Sequence, residues 1–368
     1  MSKIVVIGAG KTGRGFIGRL LAEAEKEILF VDKNAELVGR LNEEKTFRVS
    51  FFGGSREPVP VRNYTACTWE NADLSDAELI FVSVCGQNLK DVGAELTKHL
   101  PADKKVHIIT CENASHPSKT LRESIVGKKI AVSEATVFCT TIEDEGIHIN
   151  SENYPYLQCD AELLEGYVPE VASVRAIGNF SDFLTRKLYT YNAASCVIAY
   201  IGALLGYTDY GAAANDPAIL ALLDKNYAAT NVAMCKQFGY ELQDQTEFAA
   251  LSKKKFCDRT IVDTVARNAR ESHRKLSAGE RIIGAAALLQ AQGENASVLE
   301  LTAAAALLYQ DPADAVWTGM QNEKGIAGIL TDVCGLQPAD TLYQNIFALV
   351  TALSRDPKAA ISTVLNGF

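Results

Sequence analysis

Apolar residues in the first half of the chain follow two alternating rhythms. Short, mostly apolar runs occupy residues 3–8, 28–31, 79–84 and 106–111, and another strand is expected near 130–137. Between them lie segments with helical spacing: 14–24 (Phe16, Ile17, Leu20, Leu21, Ala24), 35–43 and 89–100. Unbroken apolar runs of this length are strands buried on both faces, and their alternation with helices predicts a parallel sheet covered on both sides. Residues 47–68 break the rhythm with shorter strand-like pieces around a Gly53-Gly54 turn, which reads as an insertion in the sheet domain. After about residue 180 the strand signal fades. Alanine-rich segments of 3.6-residue period take over at 183–205, 217–238, 260–275, 279–292, 299–309 and 339–354. Residues 143–179 are rich in turn formers and are assigned to the crossing. The expected fold is an α/β, Rossmann-type, doubly wound parallel sheet over residues 1–180, followed by an all-α domain over residues 181–368.

One run tests the assignment. Residues 188–208 carry no charge over 21 positions, long enough to span a bilayer. They include Asn192, Ser195, four tyrosines and two glycines, so a central buried helix is expected instead, with no membrane partner. Composition agrees: 48% of the 368 residues are hydrophobic and 22% charged, as in a globular protein able to fold without staples. With 36 basic against 45 acidic side chains the net charge is −9, which argues against a nucleic-acid partner. Nine cysteines without a CxxC pair read as buried thiols of a reducing, cytoplasmic protein, and the five histidines show no metal-ligand spacing. Lys3 leads straight into the first strand, so no secretory leader is read.

Gly8-Ala9-Gly10-Lys11-Thr12-Gly13 follows the first predicted strand and opens the first helix. Glycines at these positions allow a tight turn, close approach of backbone to pyrophosphate and close helix–strand packing. The helix N-terminus supplies free N–H groups. Asp32, 19 residues on at the end of the second strand, is placed to accept the adenosine ribose hydroxyls and to disfavour a 2′-phosphate, which points to NAD. Val84, in the turn after a later strand, falls where nicotinamide-side contacts are expected. The plainer alternative is an ordinary glycine-rich turn, with Asp32 capping the second helix.

Within the uncharged helix, Lys187, Asn192 and Ser195 form a polar group. A desolvated lysine can serve as a base, and an asparagine can donate to an alkoxide without ionising. In a regular helix Lys187 stands about 140° from Asn192, so a bend or a leaning side chain is required. Spacing alone equally fits a snorkelling lysine and a satisfied core amide. Arg267, Arg270 and Arg274, at i, i+3 and i+7, are read as one helical stripe, facing either an anionic substrate or solvent.

The segment from Lys187 to Ser195 resembles the Lys-x-x-x-x-Asn-x-x-His signature of the polyol-specific long-chain dehydrogenases, the mannitol dehydrogenase family. Four further stretches match in order: Gly8-Ala9-Gly10 with Arg14-Gly15-Phe16-Ile17-Gly18, closest to the family's mannitol-phosphate branch; Cys111-Glu112-Asn113; Arg267-Asn268-Ala269-Arg270; and Arg274-Lys275-Leu276-Ser277-Ala278-Gly279-Glu280-Arg281. The resemblance implies a zinc-independent, NAD-dependent oxidoreductase acting on a sugar alcohol or its phosphate. It makes Lys187 the general base, Asn113 and Asn192 the holders of the reacting oxygen, with Asn113 also beside the cofactor, and Arg267, Arg270, Arg274 and Lys275 substrate contacts. A monomer or homodimer is implied. Two departures stand out. Ser195 replaces the family histidine, and Val137-Phe138 fall where the family places an Asp-Arg pair. Both remove polar contacts, which leaves open a different secondary alcohol, such as a uronate, or a catalytically weak NAD-binding protein.

Overall fold

The computed structural model describes residues 4–112, 116–311 and 313–367. They form two compact units, Met1–Phe180 and Ser181–Phe368. In the first unit, β1 (Ile4–Ile7), β2 (Ile28–Val31), β5 (Tyr64–Cys67), β6 (Leu79–Val82), β7 (Val106–Thr110) and β8 (Ile130–Thr136) pair in parallel in the order β8-β7-β6-β1-β2-β5. Every residue of β1, β2 and β6 is buried, which is why these strands read as unbroken apolar runs. The chain leaves β1 toward β2 on one side and returns to β6 on the other. The topological switch point of this Rossmann-type sheet therefore lies between β1 and β6. Helices α1 (residues 11–23), α2 (Ala35–Glu44), α3 (Leu89–His99) and α4 (Pro117–Ser124) fill the intervals.

The sheet is not wholly parallel. β11 (Leu157–Asp160) runs antiparallel to β8, and β12 (Val174–Ile177) pairs with β11 in parallel at the sheet edge. The expected insertion is a real second sheet. β3 (Phe47–Phe51) and β4 (Val59–Val61) join β9 (Thr141–Glu143) and β10 (Ile149–Ser151) in the order β4-β3-β10-β9. Gly53 and Gly54, with φ of 63° and 62°, turn the β3–β4 connection. The second sheet seats on α1, where a Cβ on Gly15 would come within 2.3 Å of the Ile149 side chain. Residues 143–179 are thus part of the first unit's sheets.

The second unit is helical around α5 (residues 180–204). It continues with α6 (Tyr210–Ala214), α7 (Pro217–Phe238), α8 (Leu242–Cys257), α9 (Val265–Ala269), α10 (Ser272–Lys275), α11 (Ile283–Ala291), α12 (Ser297–Leu308), α13 (Ala315–Asp332), α14 (Thr341–Arg355) and α15 (Pro357–Asn366). The middle of α5 is buried from Ala193 to Ile201 except Ser195, and α12 is buried from Ser297 to Leu307. Their alanines let neighbouring backbones approach closely. No helix among the described residues is long and apolar enough to cross a membrane. The nine cysteines are free, but not uniformly buried as expected: Cys67, Cys235 and Cys257 are half-buried and Cys85 is exposed.

Candidate active site

The glycine-rich turn sits at the switch point. Gly8 has φ +91°, and a Cβ there would lie 2.3 Å from Ser83 O and 2.9 Å from Val84 Cγ1. A Cβ on Gly13 would meet Gly8 O at 1.9 Å. Both positions admit only glycine, the first by conformation and contact, the second by contact. Gly10 differs, since nothing lies within 4 Å of the point its Cβ would occupy. That open side, with the N–H groups of the first turn of α1 at Lys11, Thr12 and Gly13, forms an anion cradle. The Asp32 carboxylate ties the turn to β2: the Ala9 N–H donates to Oδ2 (2.7 Å) and the Asn34 N–H to Oδ1 (2.8 Å). The cap of α2 is Asn34, whose Oδ1 accepts from Leu37 N–H (3.1 Å), so Asp32 is not that helix's cap. Buried Arg14 braces the turn from below by donating to Ala9 O. Glycines without room for a side chain, one open glycine and a carboxylate at the end of β2 together fit a dinucleotide.

In the second unit, α5 solves the angular problem posed by Lys187 and Asn192. Leu188–Asn192 is wound as a wide π turn. Its i→i+5 hydrogen bonding adds a residue to the turn, so residues five apart approach the same face. Buried Gln245 of α8 clamps this turn. Its Oε1 accepts from Arg186 Nε (2.7 Å), and its Nε2 donates to Thr190 Oγ1 (3.1 Å) and Asn231 Oδ1 (3.1 Å). Arg186 also pairs with Asp244 (2.7 Å) and lies over the rings of Tyr240 and Phe248, both 4.3 Å from centroid. Lys187 is thus held between two clamped neighbours. Desolvation, with the nearby charges of Lys255 and Arg281, brings its ammonium down to a pKa of about 7. Gln245→Leu is expected to lower kcat about tenfold or more and to shift the kinetic pKa away from about 7, because a turn released to regular α winding misplaces Lys187. A pH–rate profile checks this: loss of stability alone leaves that pKa where it was.

Asn192 and Ser195 line a pocket of about 220 Å³ together with Arg267, Arg270, Arg274, Lys275 and Arg281. Glu271 is the one acidic residue on its wall among the described residues. Lys275 is buried. Its Nζ donates to Asn268 O (2.5 Å) and stands 5.9 Å from the Tyr200 ring centroid, and desolvation lowers its pKa to about 8. Arg267 pairs with Asp263 (2.8 Å) and Arg274 with Glu271 (2.8 Å), while Arg281 Nε donates to Glu280 (3.0 Å). Arg270 is exposed and has no carboxylate partner among the described residues. Ser195 Oγ accepts from the buried Tyr210 hydroxyl (2.9 Å).

The three arginines are not one helical stripe. The predicted helix over 260–275 breaks: α9 ends at Ala269, Arg270 is extended (ψ 159°) and Glu271 is left-handed (φ 59°) before α10 begins. Tyr200 Oη donates to Ala269 O (2.9 Å) and meets Ser272 Oγ (3.0 Å), which pins the break to α5. The arginines converge on the pocket from two short helices. Arg281 belongs with them, although the sequence named it only within the Arg274–Arg281 run; three basic residues in that run were its signal. Tyr210 carried none. Phe138 is in the first unit's interior, stacked on Tyr154 (centroids 5.1 Å apart). Asn113 lies outside the described residues.

Two family profiles cover most of the chain: "Mannitol dehydrogenase Rossmann domain" over residues 2–144 and "Mannitol dehydrogenase C-terminal domain" over residues 179–328. The mannitol-1-phosphate 5-dehydrogenase of Thermoanaerobacter pseudethanolicus is 28% identical over 94% of this chain and 96% of its own. That of Bacillus pumilus is 28% identical over 95% and 100%. Among solved structures, a substrate-free D-sorbitol dehydrogenase superposes with TM-score 0.73 at 14% identity, covering 97% of this chain and 94% of that one. The Pseudomonas fluorescens mannitol 2-dehydrogenase ternary complex with NAD and D-mannitol gives 0.67 at 14%, covering 99% and 94%. These two likenesses are of fold.

Proposed function

The chain belongs to the mannitol dehydrogenase family, and on that premise we propose that it is an NAD-dependent polyol dehydrogenase acting on a sugar-alcohol phosphate, of the mannitol 1-phosphate/fructose 6-phosphate type. The observation that carries the phosphorylated substrate is the pocket beside Asn192, whose wall bears four arginines and a lysine against one glutamate. A phosphate dianion offers several oxygens to forked guanidinium groups, the geometry in which arginine binds best.

Oxidation of a secondary alcohol needs a base for the hydroxyl proton, donors for the oxygen and an acceptor for the hydride. With a pKa of about 7, Lys187 has a large neutral fraction at physiological pH and takes the proton at Nζ. The Asn192 amide donates to the oxygen as it gains charge, and Asn113 is assigned as the second donor. Arg267, Arg270, Arg274, Lys275 and Arg281 hold the substrate's anionic end. Ser195, tied to Tyr210, supplies a fixed hydroxyl to the pocket wall in place of an ionisable ring. When bound, NAD supplies the hydride acceptor. Gly8, Ala9, Gly10, Lys11, Thr12 and Gly13 would hold its pyrophosphate, Asp32 its adenosine ribose, and Val84 would lie on its nicotinamide side. We place the protein in a reducing cytoplasm, which nine free thiols support, and expect a monomer or homodimer.

NAD reduction with a panel of hexitols, hexitol phosphates and uronates tests the reading. Activity is expected on a hexitol phosphate; activity confined to uronates moves the substrate to a sugar acid, whose carboxylate the same arginines would also bind. Arg270→Ala is expected to raise KM for the phosphorylated substrate about tenfold, the worth of a charge-assisted contact, and to leave KM for the unphosphorylated hexitol unchanged. Equal effects on both would remove the phosphate from the basic pocket.

A further inference from the structure

The second unit contains a cavity that shares no residue with the basic pocket. It has a volume of about 560 Å³, within the range of sites that enclose a small organic molecule. It opens among α11, α12, α14 and α15. Ala348, Leu349, Ala352 and Ala360 form an apolar wall, and Glu300 with Ser297, one turn apart on α12, forms a polar one.

The polar wall is unbalanced. Glu300 is only 5% exposed, and it has no ion-pair partner among the described residues. Asn345 Nδ2 (3.0 Å) and Gln290 Nε2 (3.4 Å) both donate to its Oε1. No donor reaches Oε2 among the described residues. Ser297 is 7% exposed, and its Oγ is buried without a partner. Glu294, also on the wall, already pairs with Lys236 (2.6 Å), and no lysine, arginine or histidine lines the cavity among the described residues. A buried carboxylate without a cation is costly, and an unpaired buried hydroxyl adds to the cost. Burial pushes the Glu300 carboxyl up, and the two amides and the opening dipole of α12 only partly offset this because they supply no full positive charge.

We propose that this cavity is a binding site for a small organic monocation, a primary ammonium on a compact apolar body, which sets an N–H group on Glu300 Oε2 and its body against the alanine and leucine wall. An ammonium has three donors and no acceptor, which matches the open carboxylate oxygen and the absence of a lining cation among the described residues. Anions are excluded by the same charge, so neither the dinucleotide nor a polyol phosphate fits this site.

Benzylammonium, benzyl alcohol and benzoate are isosteric probes that differ in charge. Calorimetric titration of the full chain without cofactor reads the site independently of the dehydrogenase assignment. Benzylammonium is expected to bind with a Kd at least tenfold below that of benzyl alcohol, and benzoate not to bind. Glu300→Gln keeps the shape and the amide contacts, and should erase the preference for the cation while leaving benzyl alcohol unchanged. Should that variant fail to fold, Ala352→Phe, which fills the apolar end, should abolish benzylammonium binding instead, and the wild-type Asn345 side-chain amide should shift in NMR titration. Equal binding of amine and alcohol, or binding that survives both substitutions, overturns the proposal. So does the absence of benzylammonium binding.

Discussion

Replacing Lys187 by alanine is expected to lower kcat for NAD-linked oxidation by about 10²–10⁴, the usual contribution of a positioned general base, while NADH still binds. The proton has to leave the hydroxyl as hydride departs, and Lys187, which precedes the wide turn ending at Asn192 and is influenced by Arg281 of the pocket wall, has a pKa of about 7. The sign of the pH dependence follows. Burial and the like charges of Lys255 and Arg281 favour neutral lysine, so the wild-type rate of oxidation should rise with pH through about 7 and then level. The reverse reaction needs the protonated form and should fall over the same range. Lys187→Ala should flatten that limb of the profile. Stopped-flow rates across pH 5.5–9, with NADH fluorescence as the control for cofactor binding, check both parts. A variant that keeps wild-type kcat and the same profile would transfer the base to another residue, with Lys275 at a pKa of about 8 the next to test.

Gly13→Ala is expected to weaken NADH binding by about 100-fold or more, near 3 kcal/mol. The added methyl would stand 1.9 Å from the Gly8 carbonyl, a backbone atom, with Val6 Cγ1 behind it at 3.6 Å. No rotamer can relieve such a contact, so the turn between β1 and α1 has to open. Opening it also pulls the Ala9 N–H away from Asp32, which couples the two halves of the dinucleotide cradle. Gly10→Ala is the contrast, because its Cβ would meet nothing within 4 Å in the protein. That variant should keep its fold and lose affinity only through crowding of the bound pyrophosphate. NADH titration with circular dichroism separates the two cases: equal affinities for the two variants would show that the cradle does not work as described.

Much of this was legible in the chain. The alternation of apolar runs and helical periods marks β1, β2 and β6 because strands buried on both faces leave no polar positions to blur them, and β7 and β8 remain legible through a mostly buried set of apolar residues. Less was legible where polarity is mixed. α8 and α13 escaped sequence reading because charged and amide side chains dilute their periodicity, and α8 is the helix that carries Gln245. β11 and β12 lie in a stretch rich in turn residues, and their membership of the main sheet depends on partners 17 to 24 residues away in the chain. The uniform burial expected of the cysteines failed at Cys85, since an apolar run before a turn says little about the turn itself.

The amino-acid sequence by itself determined the glycine turn, the acid at the end of β2 and the identity of the lysine, asparagine and arginines, because covalent order and residue type suffice for those. Only the tertiary structure decided how they meet. The wide turn that aligns Lys187 with Asn192 is held by Gln245 from another helix. The break that brings Arg270 and Arg274 to one pocket is pinned by Tyr200 from a third. Local propensity favours a regular helix in both places. It takes buried hydrogen bonds from distant residues, whose loss would leave polar groups unpaired in the interior, to hold the chain in the less regular form.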